Sequence, residues 1–163
     1  MGISIGIGGV SRAGKTTLSN FLRDLYPHKK TLIIPMDEYV RDPENIPKVK
    51  DKVDWEHPIS VEFERIQKKI KESLETYDLV ITEGILIFYN EQVNELFDKR
   101  IFIDIPKSLF YIRRKKDKRW GEEPEWYIDY VWESYLKYGK LTEHSTHTLY
   151  INGEEKYTLS LIH

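Results

Sequence analysis

Near the amino terminus, Gly9-Val10-Ser11-Arg12-Ala13-Gly14-Lys15-Thr16 repeats the spacing G-x-x-x-x-G-K-[ST], between an apolar run and an amphipathic one. No other stretch constrains the backbone so tightly. Its glycines let the chain curl so that successive N–H groups point inward at phosphates, with Lys15 reaching β- and γ-phosphate oxygens and the Thr16 hydroxyl completing a Mg²⁺ shell. Upstream, Ile3, Ile5 and Ile7 alternate with Ser4 and Gly6 as in a short buried strand. Downstream, Leu18, Phe21, Leu22 and Leu25 recur at helical spacing over 17–26. Strand, glycine loop and helix start therefore follow in the order an anion site requires, and the helix dipole favours the anion. The expected cofactors are ATP and Mg²⁺, with Gly9, Ser11, Arg12, Ala13, Gly14, Lys15, Thr16 and Thr17 as the nucleotide-binding residues.

The pattern continues beyond the loop. Short β-branched or apolar runs predict strands over 31–36, 77–82 and 100–105, the last ended by Pro106. Phe63, Ile66, Ile70 and Leu74 form one apolar stripe of a helix over 61–74. Strands alternating with helices imply parallel pairing and right-handed crossovers, hence an α/β fold: three layers of the P-loop NTPase type, a parallel five-stranded sheet flanked by helices, with a lid segment. Function then belongs at the carboxyl ends of the strands. Residues 41–54 are charged, contain Pro43 and Pro47 and show neither period, as expected of a substrate-binding or lid loop. Over 125–138, Trp126, Tyr127, Tyr130, Trp132, Tyr135 and Tyr138 predict a helix whose rings mostly pack in the core. A fifth strand is expected over 148–151, followed at Asn152-Gly153 by a turn or a hairpin to 156–162.

Two acids stand where strands should end. Asp37 follows the second strand and Glu83-Gly84 follows the third. Magnesium takes one or two carboxylates and keeps several waters, so Thr16, Asp37 and Glu83 suffice as its ligands. Asp37 also suits alignment of an attacking hydroxyl, or acceptance of its proton. Residues 113–119, after the helix that begins near Lys107 and Ser108, hold six cations in seven positions. With a triphosphate to neutralise, a lid over about 113–124 accounts for them better than a solvated face or a nucleic-acid patch. Arg113, Arg114 and Arg119 are the expected catalytic cations, since guanidinium forks match phosphate oxygens.

In these residues the chain resembles the nucleoside-kinase branch of P-loop kinases, nearest the nicotinamide riboside kinases and the related uridine kinases. The matching pieces are residues 6–18, Met36-Asp37-Glu38-Tyr39, Trp55-Glu56-His57-Pro58, Thr82-Glu83-Gly84-Ile85-Leu86-Ile87-Phe88 and residues 131–138. The resemblance implies transfer of the γ-phosphate of ATP to the 5′-hydroxyl of a ribonucleoside. It gives Asp37 the catalytic acid's place, Glu83 the magnesium-linked glutamate's, and the 113–119 cluster the lid cations'. The ribose-diol carboxylate falls on Glu56, one methylene longer than the family's aspartate, and the base-stacking ring falls on Trp55. Tyr39 and Trp120 join Asp37, Trp55, Glu56 and Glu83 as expected substrate-binding residues, in an acceptor loop over about 38–58. Residues 148–153 would supply part of the adenine-side wall, and the family usually continues further past this point.

Bulk properties narrow the remaining choices. At 163 residues the chain is expected to form a single domain. A formal net charge of −2 argues against a general nucleic-acid or membrane-surface binder. The absence of cysteine excludes disulfides, thiol catalysis and zinc-thiolate sites. No signal peptide or spanning run is visible, so a soluble cytoplasmic enzyme with a nucleoside-like small-molecule acceptor, and neither nucleic-acid nor membrane partners, is expected. The oligomeric state is not legible. Two alternatives stay open: a kinase for another hydroxyl acceptor such as a vitamin precursor or sugar, and a nucleotide-dependent switch. The Asn-Lys-x-Asp loop by which GTP switches read guanine is absent.

Overall fold

The computed structural model describes residues 1–119, 121–141 and 147–154. In chain order, β1 (Ile3–Gly9), α1 (Lys15–Leu25) and β2 (Thr31–Pro35) come first. A small hairpin follows, β3 (Lys48–Val49) with β4 (Lys52–Val53), and then α2 (Phe63–Leu74), β5 (Leu79–Glu83) and α3 (Glu91–Asn94). The chain continues through β6 (Lys99–Asp104), α4 (Lys107–Lys116), α5 (Glu125–Ser134) and β7 (Thr148–Asn152). The main sheet has the order β2-β5-β1-β6-β7, and every pairing in it is parallel. The chain first winds toward β2 and then reverses past β1 toward β7. Such a reversal opens a crevice at the carboxyl end of β1, where the phosphate loop begins.

Helices cover both faces. On one, Leu18 and Leu22 of α1, Phe110 of α4 and Ile128, Val131 and Trp132 of α5 pack on Ile7, Ile101 and Ile103. On the other, Phe63, Ile66 and Ile70 of α2 pack on Ile34 and Val80. The expected stripe of α2 is therefore the buried one. The five-stranded parallel sheet and its flanking helices agree with the sequence reading.

Three local expectations change. Arg113 and Arg114 lie in the last turn of α4, which runs to Lys116, instead of following the helix. The stretch 41–54 is not structureless: it holds a short turn at Pro43–Asn45 and the β3–β4 hairpin, whose turn puts Lys50 at a left-handed φ of 54°. A two-residue pairing is too short to leave a periodic signal. The aromatic helix changes register after Ser134, where Tyr135–Gly139 form a wider π-type turn with Lys140 N–H donating to the Tyr135 carbonyl. The expected hairpin at 156–162 and Trp120 lie outside the described residues.

Candidate active site

The loop after β1 is shaped by three left-handed residues, Gly9 at φ 151°, Arg12 at 66° and Gly14 at 108°. A Cβ on Gly9 would stand 2.6 Å from the Ile103 carbonyl oxygen, so the loop is pressed against β6. Gly14 begins α1 without a side-chain cap, and the first N–H groups of a helix are the donors an anion can take up. Lys15 lies back along the loop with Nζ 2.9 Å from the Val10 carbonyl oxygen. Burial lowers its pKa, while the charges of Glu83, Asp37 and Glu56 pull it back up and Arg114 adds to the lowering. The partly buried ammonium thus lies in the field of three carboxylates and a guanidinium.

Sheet register brings the acids to this ammonium. Glu83, the last residue of β5, pairs with Ile7 of β1 on one side and Pro35 of β2 on the other. Its carboxylate is buried, and Oε1 accepts from the Thr16 hydroxyl at 3.4 Å. Burial raises its pKa, and Lys15 and the Thr16 hydroxyl counter that rise. Asp37 is exposed in the turn Met36–Glu38 that closes β2, whose Met36 is buried. Thr16, Glu83 and Asp37 make a sparse oxygen set. Among the described residues no cluster of three or more His, Cys, Asp or Glu side chains forms a metal cage. That donor set fits Mg²⁺, which keeps much of its water and takes phosphate oxygens.

The cations of α4 and the segment after it divide in their placement. Arg113 donates to two backbone carbonyls, Arg12 at 2.9 Å and Gly153 at 3.0 Å, and so ties the phosphate loop to the end of β7. Arg114 donates to the Ser11 hydroxyl at 2.6 Å and grips Glu123 with Nε and Nη2. Burial alone would lower its pKa, but the hydrogen bonds and charge of Glu123 and the charge of Glu56 raise it overall. Arg119 is largely exposed and pairs with Asp117 at 2.7 Å, and that pairing holds the Asp117 carboxyl at about 2. Arg12 reaches the same Asp117 at 3.9 Å.

On the acceptor side, Trp55 leaves 40% of its surface in solvent. Next to it Glu56 is partly buried, and its pKa is pushed up to about 7, first by burial and then by the charges of Asp54, Asp37 and Glu123, against the pull of Arg114. Tyr39 packs its ring under the Arg65 guanidinium at 5.2 Å. Sequence reasoning missed Glu123 and the Asp54–Tyr130 pair. Glu123 lies in a run of glutamates with no period, and Tyr130 looked like one more core ring. Nothing local in the chain marks either partnership, because the partners are 9 and 76 residues apart.

A curled anion loop, a lysine and strand-end acids on a parallel sheet of this order define a P-loop kinase fold. No family model matches the chain. A uridine kinase of Streptococcus gordonii is 30% identical over 159 aligned residues, covering 82% of this chain and 75% of that protein. One of Lactobacillus helveticus is 26% identical over 138 residues, covering 69% and 65%. The chain therefore spans between 65% and 75% of the length of these two relatives. Solved structures share the fold. A sugar kinase of Janibacter sp. superposes with a TM-score of 0.65 at 15% identity, over 96% of this chain and 88% of that one. A possible uridine kinase of Bacillus stearothermophilus gives 0.58 at 16% identity, over 90% and 88%. Shikimate kinase of Bacteroides thetaiotaomicron gives 0.57 at 20% identity, over 98% and 92%. The chain belongs to the uridine kinase family. No described helix is long and apolar enough to cross a membrane.

Proposed function

We propose that the protein is a Mg·ATP-dependent kinase that phosphorylates the 5′-hydroxyl of a ribonucleoside. The observation that carries this reading is the placement of buried Glu83 at the end of β5 against the phosphate loop, where its Oε1 accepts from the Thr16 hydroxyl at 3.4 Å, with Arg114 reaching the same loop at Ser11. Phosphoryl transfer passes through a loose transition state, so positioning and charge stabilisation matter more than covalent chemistry. When bound, ATP with its Mg²⁺ supplies the transferable phosphoryl group and neutralises part of its charge.

Each residue then has a task in the chain's own chemistry. Lys15, Arg114 and the first N–H groups of α1 offset phosphate charge. Thr16 and Glu83 would hold the Mg²⁺ ion. Asp37 aligns the acceptor hydroxyl and takes its proton. Glu56, once ionised, accepts hydrogen bonds from two neighbouring ribose hydroxyls, and Trp55 offers a flat face to the base. Arg113 acts by tethering the phosphate loop, and Arg119 lies in the exposed segment that would close over the phosphates.

Charge selects among acceptors. Glu56, Asp54 and Asp37 make the acceptor side acidic, which disfavours anions such as shikimate or gluconate. A cationic base over Trp55 gains roughly 0.5 to 2 kcal/mol of cation–π attraction that uracil does not. An ADP-release assay with ATP, Mg²⁺ and uridine, cytidine, nicotinamide riboside, shikimate or gluconate tests both levels. Turnover is expected with the ribonucleosides, with the lowest KM for nicotinamide riboside. ATP binding without turnover of any hydroxyl acceptor would overturn the kinase reading. Tight GTP binding with hydrolysis indifferent to acceptors would replace it with a switch.

A further inference from the structure

Asp54 is a buried carboxylate, 6% exposed, at the foot of the β3–β4 hairpin. Its Oδ2 accepts from the Tyr130 hydroxyl of α5 at 2.5 Å, and its Oδ1 accepts from the backbone N–H of Glu56 at 3.2 Å. One carboxylate therefore links a core helix to the residue proposed to bind the acceptor's hydroxyls. Neighbouring bonds brace the same turn: the Asp54 N–H donates to the Pro47 carbonyl at 2.9 Å, and Ser60 Oγ donates to the Trp55 carbonyl at 2.9 Å. Above it, Lys50 Nζ lies 4.0 Å from the Trp126 ring and Lys52 Nζ lies 5.5 Å from the Tyr127 ring. Trp126, Tyr127 and Tyr130 share one face of α5 by their i, i+3 and i+4 spacing. The hairpin is thus seated on that face by its lysines and pinned at its base by Tyr130.

Resting on the kinase reading above, we propose that Tyr130 and Asp54 are positioning residues for Glu56. Tyr130 orients the Asp54 carboxylate, and Asp54 fixes the Glu56 backbone, so the helix adds to what the loop's own bonds do in placing the acceptor-binding carboxylate. A binding group must be held to within roughly 0.5 Å by such supporting contacts to act well. Y130F would keep the ring packing and strip Oδ2 of the Tyr130 hydroxyl.

The test uses the full chain with Y130F, D54N, E56Q and the double variant Y130F/E56Q, in steady-state ADP release. Y130F is expected to raise the acceptor KM on the order of tenfold. Its kcat and its KM for ATP should stay within about twofold of the parent. D54N keeps an oxygen for the Glu56 N–H and should fall between Y130F and the parent. The double variant should be no worse than E56Q, because Tyr130 acts only through Glu56. An unchanged acceptor KM in Y130F, or additive losses in the double variant, would overturn the proposal. Amide hydrogen exchange on the chain without substrates decides the matter independently of turnover. There, Y130F should speed exchange of the Glu56 N–H on the order of tenfold while β1 and β5 keep their protection. Unchanged Glu56 exchange would sink the positioning role even in an active kinase. If the parent phosphorylates no acceptor, the kinase reading fails and the exchange result still stands for or against the anchor.

Discussion

Arg114 and Glu123 meet edge to edge, with Nε 2.7 Å from Oε1 and Nη2 2.9 Å from Oε2, while Nη1 reaches the Ser11 hydroxyl at 2.6 Å. Their side chains are only 10% and 14% exposed. A single guanidinium thereby joins the end of α4, the approach to α5 and the phosphate loop, without exhausting its donors. Residues in the expected lid and residues of the nucleotide loop are therefore one electrostatic unit.

Removing Glu123 leaves a largely buried guanidinium without its carboxylate. E123A is expected to destabilise the fold by on the order of 3 kcal/mol. Urea unfolding checks the size, and a cost under about 1 kcal/mol would put the pair in the class of weak surface bridges. R114K should also lose stability, since an ammonium cannot reproduce the two-pronged contact.

Lys15 tests the nucleotide site with less risk to the fold. K15A deletes a partly buried cation whose only described side-chain hydrogen bond is to the Val10 carbonyl. If Lys15 neutralises charge that grows in the transition state, kcat/KM should fall on the order of 100- to 1,000-fold. Calorimetric ATP titration should show weaker binding as well. Retained turnover in K15A would remove the lysine from the mechanism.

Sequence made the scaffold legible where a period or a fixed spacing carried the information. The phosphate loop, the stripe of Phe63, Ile66 and Ile70, and the strand-end place of Glu83 are local patterns, and the fold has them. Strand ends moved by a residue or two, since β-branched runs do not mark where pairing stops. What stayed hidden depends on tertiary meetings. Arg113 and Arg114 look alike in the chain, yet one binds carbonyls of the loop and of Gly153 while the other grips Glu123. Asp54 read as the end of an irregular loop, and only the arrival of Tyr130 from α5 gives it a role.

Gly84 explains why a glycine follows the strand-end glutamate. A Cβ there would stand 2.4 Å from the Met36 Cβ, and Met36 precedes Asp37. G84A must push the Met36–Glu38 turn away from Glu83 or distort the end of β5. It is expected to cost about 1 to 3 kcal/mol of stability. It should also lower kcat more than it raises the KM for ATP, because it separates Asp37 from Glu83 while leaving Lys15 in place. Kinetics that match the parent would mean that the turn yields freely and that the spacing of the two acids is not critical.

Glu56 gives the clearest pH signature. Its carboxyl titrates at about 7 in the fold, against an ordinary value of 4.5, chiefly because burial disfavours the charge. Only the ionised form accepts hydrogen bonds from two hydroxyls, so kcat/KM for the acceptor should climb as pH rises through about 7 and then level off. At one unit below that point it should be about tenfold under the plateau. Stability runs the other way. A carboxyl whose folded pKa is raised contributes stability that is fully present below its unfolded value and is lost as pH rises through its folded one. The difference in unfolding free energy between the parent and E56Q should therefore shift against the parent between pH 4.5 and about 7. E56Q should flatten the acceptor profile in that window and leave the ATP profile alone. An acceptor profile that keeps its rise near neutrality in E56Q would assign the titrating group elsewhere and take Glu56 out of acceptor binding.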